Sequence, residues 1–295
     1  MSTLLFIGLG HIGYPLAGHL YQAGHRVSVY NRSIAKAQRW QQEYSGQALS
    51  SLDTVDADVI FTCVGNDNDL DQLYGEGQGL FAALTKSSHK PALIIDHSTV
   101  SPAMTRKWAD QINKLGIHYA DAPVSGGQEG AQKAQLTLMV GSAAEVYQQV
   151  VDITKPYTAT IARFGDVGQG QTVKMVNQVC AAGVIQGLAE GLALAQANQI
   201  DINTLLSVLS QGAAQSWQMQ HRGQTMTQNQ FDFGFAVKWM IKDLNIVMDQ
   251  ARQDGLSLPA TAAVLTRYQQ LASRGYAEQD TSCLIKAVDL THAER

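Results

Sequence analysis

The chain has 295 residues, 45% of them apolar, enough to fill the cores of two ordinary domains and too apolar for a disordered polymer. Only 16% of residues are charged and the formal net charge is −4, so no basic surface for nucleic acid is expected. The cysteines, Cys63, Cys180 and Cys283, are odd in number and form no C-x-x-C pair, which argues against a disulfide framework or zinc site and points to a reducing cytoplasm.

The chain enters its first apolar run at Leu4 without a basic leader, and no apolar stretch approaches the roughly 20 residues that span a bilayer. Neither export nor membrane association is expected. Short β-branched or apolar runs predict strands at Leu4–Gly8, Arg26–Tyr30, Val59–Val64, Ala92–Asp96, Ile117–Ala120, Leu136–Val140 and Thr160–Phe164. Amphipathic periods between them predict helices such as Ile12–Ala23 and Pro102–Leu115, the second capped by Ser101 with Pro102 at its first position. This alternation implies an α/β fold with a mostly parallel, doubly wound Rossmann-type sheet over residues 1–165.

Beyond Gly170 no run reads as a strand, so residues 166–295 are expected to form an all-α domain. A long helix from Gln171 to about Ala197 carries Ala or Gly at nine positions, a density that lets another helix approach closely. Its surface exceeds the needs of one small helical domain, which predicts a homodimer or homotetramer. Later helices should begin near Asp201, near Phe235 and at Pro259, with breaks at Gln211–Ala214 and Arg274–Gly275.

The run Gly8-Leu9-Gly10-His11-Ile12-Gly13 follows the first strand and opens the first helix. In that context G-x-G-x-x-G reads as a dinucleotide loop: Gly8 for the tight turn, Gly10 for approach to the pyrophosphate, Gly13 for helix packing. The second strand ends in Asn31 and Arg32, where an NAD-binding fold usually places an acid for the ribose 2′-hydroxyl. Arginine offers planar donors to a 2′-phosphate, so NADP is favoured, with NAD possible; the plainer alternative makes Arg32 a solvated surface charge.

Three further segments carry a family resemblance. Asp121-Ala122-Pro123-Val124-Ser125-Gly126-Gly127, Gly165-x-x-Gly168-x-Gly170-x-x-x-Lys174-x-x-Asn177 and Lys242-Asp243-Leu244 resemble the substrate-binding, catalytic and cofactor-closing segments of the β-hydroxyacid dehydrogenases. With the glycine loop they span residues 8–244 in order. The resemblance implies that Ser98 and Thr99 lie beside the nicotinamide, and that Val64 and Gly65 form the loop passing the cofactor, where the family often has Pro in place of Gly65. It also implies a small hydroxyacid, or the corresponding semialdehyde, as substrate. The family's asparagine stands three or four residues after the lysine; here Asn177 is third and Gln178 fourth, and Asn177 is assigned the role.

In such chemistry Lys174 would be the acid–base group, its pKa lowered from about 10.4 towards neutrality by burial and a second cation such as Lys242. Asn177 lies on the same helical face as Lys174. Ser125, Gly126 and Gly127 offer a hydroxyl and backbone N–H groups to a substrate carboxylate. Phe235, Lys238 and Trp239 suit core packing as well as a site wall and are not assigned to the site. His11, His97 and His118 lack partners at ligand spacing, and no metal is expected. Asp67, Asn68, Asp69 and Asp71 lack a calcium loop's glycine and glutamate and are read as a solvated helix start. The competing readings are an imine reductase-like enzyme, which generally lacks the lysine, and a non-catalytic dinucleotide-binding scaffold.

Overall fold

Residues 3–165 alternate strand and helix: β1 (Thr3–Ile7), α1 (Gly13–Gln22), β2 (Arg26–Tyr30), α2 (Ile34–Tyr44), β3 (Gln47–Leu49), β4 (Val59–Thr62), α3 (Asp67–Tyr74), α4 (Leu80–Lys86), β5 (Leu93–Asp96), α5 (Pro102–Asn113), β6 (His118–Asp121), β7 (Val124–Ser125), α6 (Gly127–Gln132), β8 (Leu136–Gly141), α7 (Tyr147–Thr154) and β9 (Thr158–Gly165). These assignments come from a computed structural model that describes residues 1–75 and 79–288. The strands form one sheet in the order β3-β2-β1-β4-β5-β6-β8-β7, with β9 paired to β8.

From β3 to β6 every neighbouring pair is parallel, as helical crossovers require. The expected doubly wound sheet is therefore present, with an antiparallel addition: β8 runs against β6 and β7, and β9 runs parallel to β8. Between β6 and β8 the only helix is the six-residue α6, too short for a return crossover. Alternation along β1 sends Leu4 and Phe6 into a core with Leu16, Val29 and Trp40, while Leu5 and Ile7 join Ile60, Tyr74, Ile94 and Ile112. Helices thus cover both faces, and β4 and β5 are buried at every residue. Ser101 caps α5 as its sequence predicts, its Oγ accepting from Met104 N at 3.1 Å.

The chain divides into two compact units, Met1–Lys174 and Met175–Arg295. Helix α8 (Gln169–Ala197) begins in the first, nine residues of which lie beyond position 165 because its opening turn is bonded to the sheet, as described below. In the second unit α8 is followed by α9 (Ile202–Leu209), α10 (Trp217–Thr227), α11 (Val237–Gln253) and α12 (Pro259–Leu271). Among the described residues this unit has no strand, only an isolated bridge between Ala236 and Asp280. Its core gathers Ala182, Ile185, Ala189, Leu192, Met240, Leu244, Tyr268 and Leu284.

Contrary to the reading that no segment is long and apolar enough to span a bilayer, α8 is so by length and composition. Burial of Ala182, Ile185, Leu188, Ala189 and Leu192 in the second unit's core accounts for its apolarity instead. Another side of α8 is open: a Cβ at Gly183, Gly187 or Gly191 would meet nothing within 4 Å, and Leu194 is 67% exposed. Helix α9 buries no residue, although it carries Leu205, Leu206, Val208 and Leu209.

Candidate active site

Strands β2, β1, β4, β5 and β6 are parallel neighbours, so their C-terminal ends share one edge of the sheet. Strand order reverses between β1 and β4, the place where such sheets open a crevice for a ligand. The glycine loop leaves β1 there. Gly8 has φ +98°, and a Cβ on it would overlap the Cys63 carbonyl oxygen. Gly13 begins α1, where a Cβ would overlap the Gly8 carbonyl oxygen. Gly10 has open space in place of its missing side chain, and His11 beside it is exposed. An open Gly10 at the entrance of a helix, whose N-terminal end is the positive end of its dipole, fits a dinucleotide pyrophosphate; within that turn Tyr14 N donates to Gly10 O at 3.1 Å.

Leu9 and Asn31 have other duties than facing a ligand. The Leu9 side chain is buried, and its N–H donates to Asn31 Oδ1 at 2.9 Å. Asn31 Nδ2 donates to Ser33 O at 3.1 Å, so Asn31 first of all braces the glycine loop against the end of β2. Ile12 is half-buried against the core. Arg32 is 84% exposed and forms an ion pair at 3.2 Å with Asp69, the third residue of α3.

After β4 and β5 the chain builds a buried polar cluster. Val64 N donates to Ser98 Oγ at 2.8 Å, which brings those two expected site residues together, with Gly65 and Thr99 half-buried next to them. Asp96 holds the cluster: it accepts from Thr62 Oγ1 at 2.8 Å, Ser98 N at 3.0 Å and the Tyr119 hydroxyl at 3.1 Å. Burial pushes its carboxyl pKa up, against the pull of these donors.

Asp121, at the end of β6, is fully buried and clamps the start of α8, accepting from Gly168 N at 2.7 Å and Gln171 N at 2.8 Å. Burial raises its carboxyl from 3.8 to about 7, and the two backbone donors oppose the rise. The Gln171 side chain extends the clamp, donating to Ser98 O at 2.8 Å and accepting from Val100 N at 3.2 Å. One turn on, Lys174 is 8% exposed and its Nζ donates to Val124 O at 2.9 Å. That carbonyl immediately precedes Ser125, so the lysine lies against the Ser125-Gly126-Gly127 segment. Gly126 and Gly127 are exposed, with φ +127° and +61°, and Gly127 opens α6.

The second unit holds a polar chain of its own. Asn177 Nδ2 donates to Gln178 Oε1 at 2.8 Å, Gln178 Nε2 donates to Asp243 Oδ2 at 2.6 Å, and Lys242 Nζ lies 3.0 Å from Asp243 Oδ1. Gln178 and Asp243 are buried while Asn177 is only half-buried. Sequence reasoning named the two ends of this chain, Asn177 and Lys242, and missed the buried links between them. It also missed Asp121 and Gln171. An acid quoted inside a motif at a strand end was the available signal for Asp121; Gln171 had none.

The remaining candidates are structural. His97 is buried between Ala122 O at 2.7 Å and the Tyr157 hydroxyl at 2.8 Å, and burial lowers its pKa to about 4, keeping it neutral. The acids around α3 are not merely solvated as read from the sequence. Asn66, one residue earlier, is the cap, Asp67 accepts from Ser101 N at 2.8 Å and Ser101 Oγ at 2.6 Å, and Asp71 from Trp108 Nε1 at 3.0 Å. These bonds fasten α3 to α5. Among the described residues no three His, Cys, Asp or Glu side chains gather as a metal site would require.

A doubly wound, mostly parallel sheet with a glycine loop at its switch point, together with a buried lysine bonded to Val124 O, is the arrangement of a nicotinamide dinucleotide-dependent oxidoreductase. Residues 3–165 match the family described as the NAD binding domain of 6-phosphogluconate dehydrogenase, and residues 168–288 that described as NAD-binding of NADP-dependent 3-hydroxyisobutyrate dehydrogenase. An uncharacterized oxidoreductase of Shewanella frigidimarina (strain NCIMB 400) is 44% identical, covering 98% of this chain and 99% of its own. The 2-hydroxy-3-oxopropionate reductase of Escherichia coli (strain K12) is 32% identical, covering 97% and 96%. Among solved structures, 3-hydroxyisobutyrate dehydrogenase of Mycobacterium tuberculosis with L-serine matches with a TM-score of 0.85 at 27% identity, covering 98% and 99%. The chain belongs to the β-hydroxyacid dehydrogenase family, as its motifs indicate.

Proposed function

We propose that the chain oxidises a small β-hydroxyacid, or reduces the corresponding semialdehyde, with NADP as the favoured cofactor. The observation that carries this reading is the 2.9 Å bond from Lys174 Nζ to Val124 O, which sets a buried amine beside a segment suited to a carboxylate. The bound nicotinamide supplies the two-electron hydride acceptor or donor. Gly10 and the first turn of α1 would hold its pyrophosphate, and Arg32 its 2′-phosphate.

Ser125, Gly126 and Gly127 bind the substrate carboxylate through a hydroxyl and backbone N–H groups. Lys174, as the neutral amine, takes the proton from the substrate hydroxyl during oxidation, and as the ammonium returns it during reduction. The Asp121 clamp and the Gln171 bonds fix the helix that carries Lys174, so the amine is positioned before substrate arrives. The buried lysine favours this reading over an imine reductase and over a non-catalytic scaffold. The open glycine side of α8 and the unburied α9 support self-association as a homodimer or homotetramer.

Comparing a hydroxyacid such as 3-hydroxyisobutyrate with its methyl ester tests the carboxylate anchor. A charge-assisted hydrogen bond contributes about 1.5–3 kcal/mol, so losing two should lower kcat/KM by a factor of about 100 or more. Equal kcat/KM for acid and ester would refute the assignment of Ser125–Gly127.

A further inference from the structure

Arg32 reaches across the switch point to a carboxylate that is itself held in place. Asp69 is in the first turn of α3, and its side chain is 26% exposed against 84% for Arg32. Asn66 locks it from two directions: Asn66 Oδ1 accepts from Asp69 N at 2.9 Å, and Asn66 Nδ2 donates to Asp69 Oδ2 at 3.1 Å. The other carboxylate oxygen, Oδ1, faces Arg32 Nη1 at 3.2 Å. The acid is thus the braced member of the pair and the arginine the exposed one.

We infer that Asp69 is a cofactor-selectivity residue that competes with the 2′-phosphate of NADP for the Arg32 guanidinium and so holds the enzyme's preference for NADP over NAD to a modest ratio. This rests on the proposed role of Arg32. A family-typical acid at the end of β2 would refuse the phosphate outright by like-charge repulsion. Here the negative charge enters from the first turn of α3, which follows β4, two strands over from β2, and acts by neutralising the cation that attracts the phosphate. NAD presents only a hydroxyl at that place and does not compete with the carboxylate. Sequence reading alone finds no acid near Arg32, because 37 residues separate the two partners.

The test is direct binding of NADP and NAD to the purified enzyme by isothermal titration, without turnover, for wild type, Asp69→Asn, Arg32→Ala and the double variant. Asparagine keeps one side-chain oxygen, which can accept from Asn66 Nδ2, and the bond from the residue 69 backbone N–H to Asn66 Oδ1 is unaffected by the change, so the start of α3 is preserved. Asp69→Asn should tighten NADP about three- to tenfold, the scale of an exposed ion pair plus relief of repulsion on a dianion, and change NAD less than twofold. In the Arg32→Ala background the effect of Asp69→Asn on NADP should fall below twofold. If Arg32→Ala weakens NADP selectively but Asp69→Asn leaves NADP affinity unchanged or lowers it, the competition is overturned while the role of Arg32 stands. If Arg32→Ala weakens both cofactors equally, the role of Arg32 falls, and the role of Asp69 with it.

Discussion

Replacing Asp121 with asparagine should remove a loss of stability that this residue imposes on the first unit as pH rises. Burial lifts the Asp121 carboxyl from 3.8 to about 7 in the folded protein. Between these values the native state keeps a proton that the unfolded chain has released, so stability falls as pH rises through the window. A displacement of about three units corresponds to about 4 kcal/mol in full, of which about 3 kcal/mol is lost between pH 5 and pH 8. Asparagine cannot titrate. The difference in stability between Asp121→Asn and wild type should therefore move by about 3 kcal/mol in favour of the variant from pH 5 to pH 8. Urea unfolding at several pH values would measure it, followed by Trp40 and Trp108, both buried in the first unit, in a Trp217→Phe/Trp239→Phe background. A difference that stays constant with pH would refute the argument, because it would mean that the carboxylate pays no burial penalty.

Lys174→Ala should retain NADP binding and lose kcat by a factor of about 10² to 10⁴, the scale of a general acid–base group; near-normal turnover in steady-state assays would remove the lysine from that role. Light scattering across micromolar concentrations should give the mass of a dimer or tetramer, and Gly187→Glu, placed on the open side of α8, should lower it without unfolding the chain. A monomeric wild type would end that reading.

The sequence made the chemistry-bearing edge of the sheet legible because each of its strands carries a period-2 or fully apolar signature and ends in a recognisable loop. It did not reveal β3, three residues with no fully buried position at the end of the strand order, or β7, a two-residue bridge. The helix α10 escaped because its sequence, from Trp217 to Thr227, is polar and short of an apolar stripe. The reversal of β8 was equally hidden, since alternation fixes which face a side chain occupies and says nothing of strand direction.

In the site, Gly8 and Gly13 were readable because sterics leave no other residue there. The importance of Asp121 and Gln178 was not, because a carboxylate or amide in sequence gives no sign of whether it is buried. Asn177 was chosen at the position three residues beyond the lysine, yet the deeper amide belongs to its neighbour Gln178. Arg32 was readable as a cation and its partner was not, because the two come from different crossovers of the sheet.

Helix α8 is clamped at its first turn by Asp121 and carries Lys174 and, four residues on, Gln178. One unbroken helix therefore acts as a ruler for these two groups, holding them about 6 Å apart along its axis whatever loops or neighbouring helices do. Their spacing is a property of backbone hydrogen bonds and not of side-chain packing. Divergence in this stretch is consequently confined to exchanging one side chain for another, since inserting a single residue between the two would turn the helical faces that carry them by about 100°.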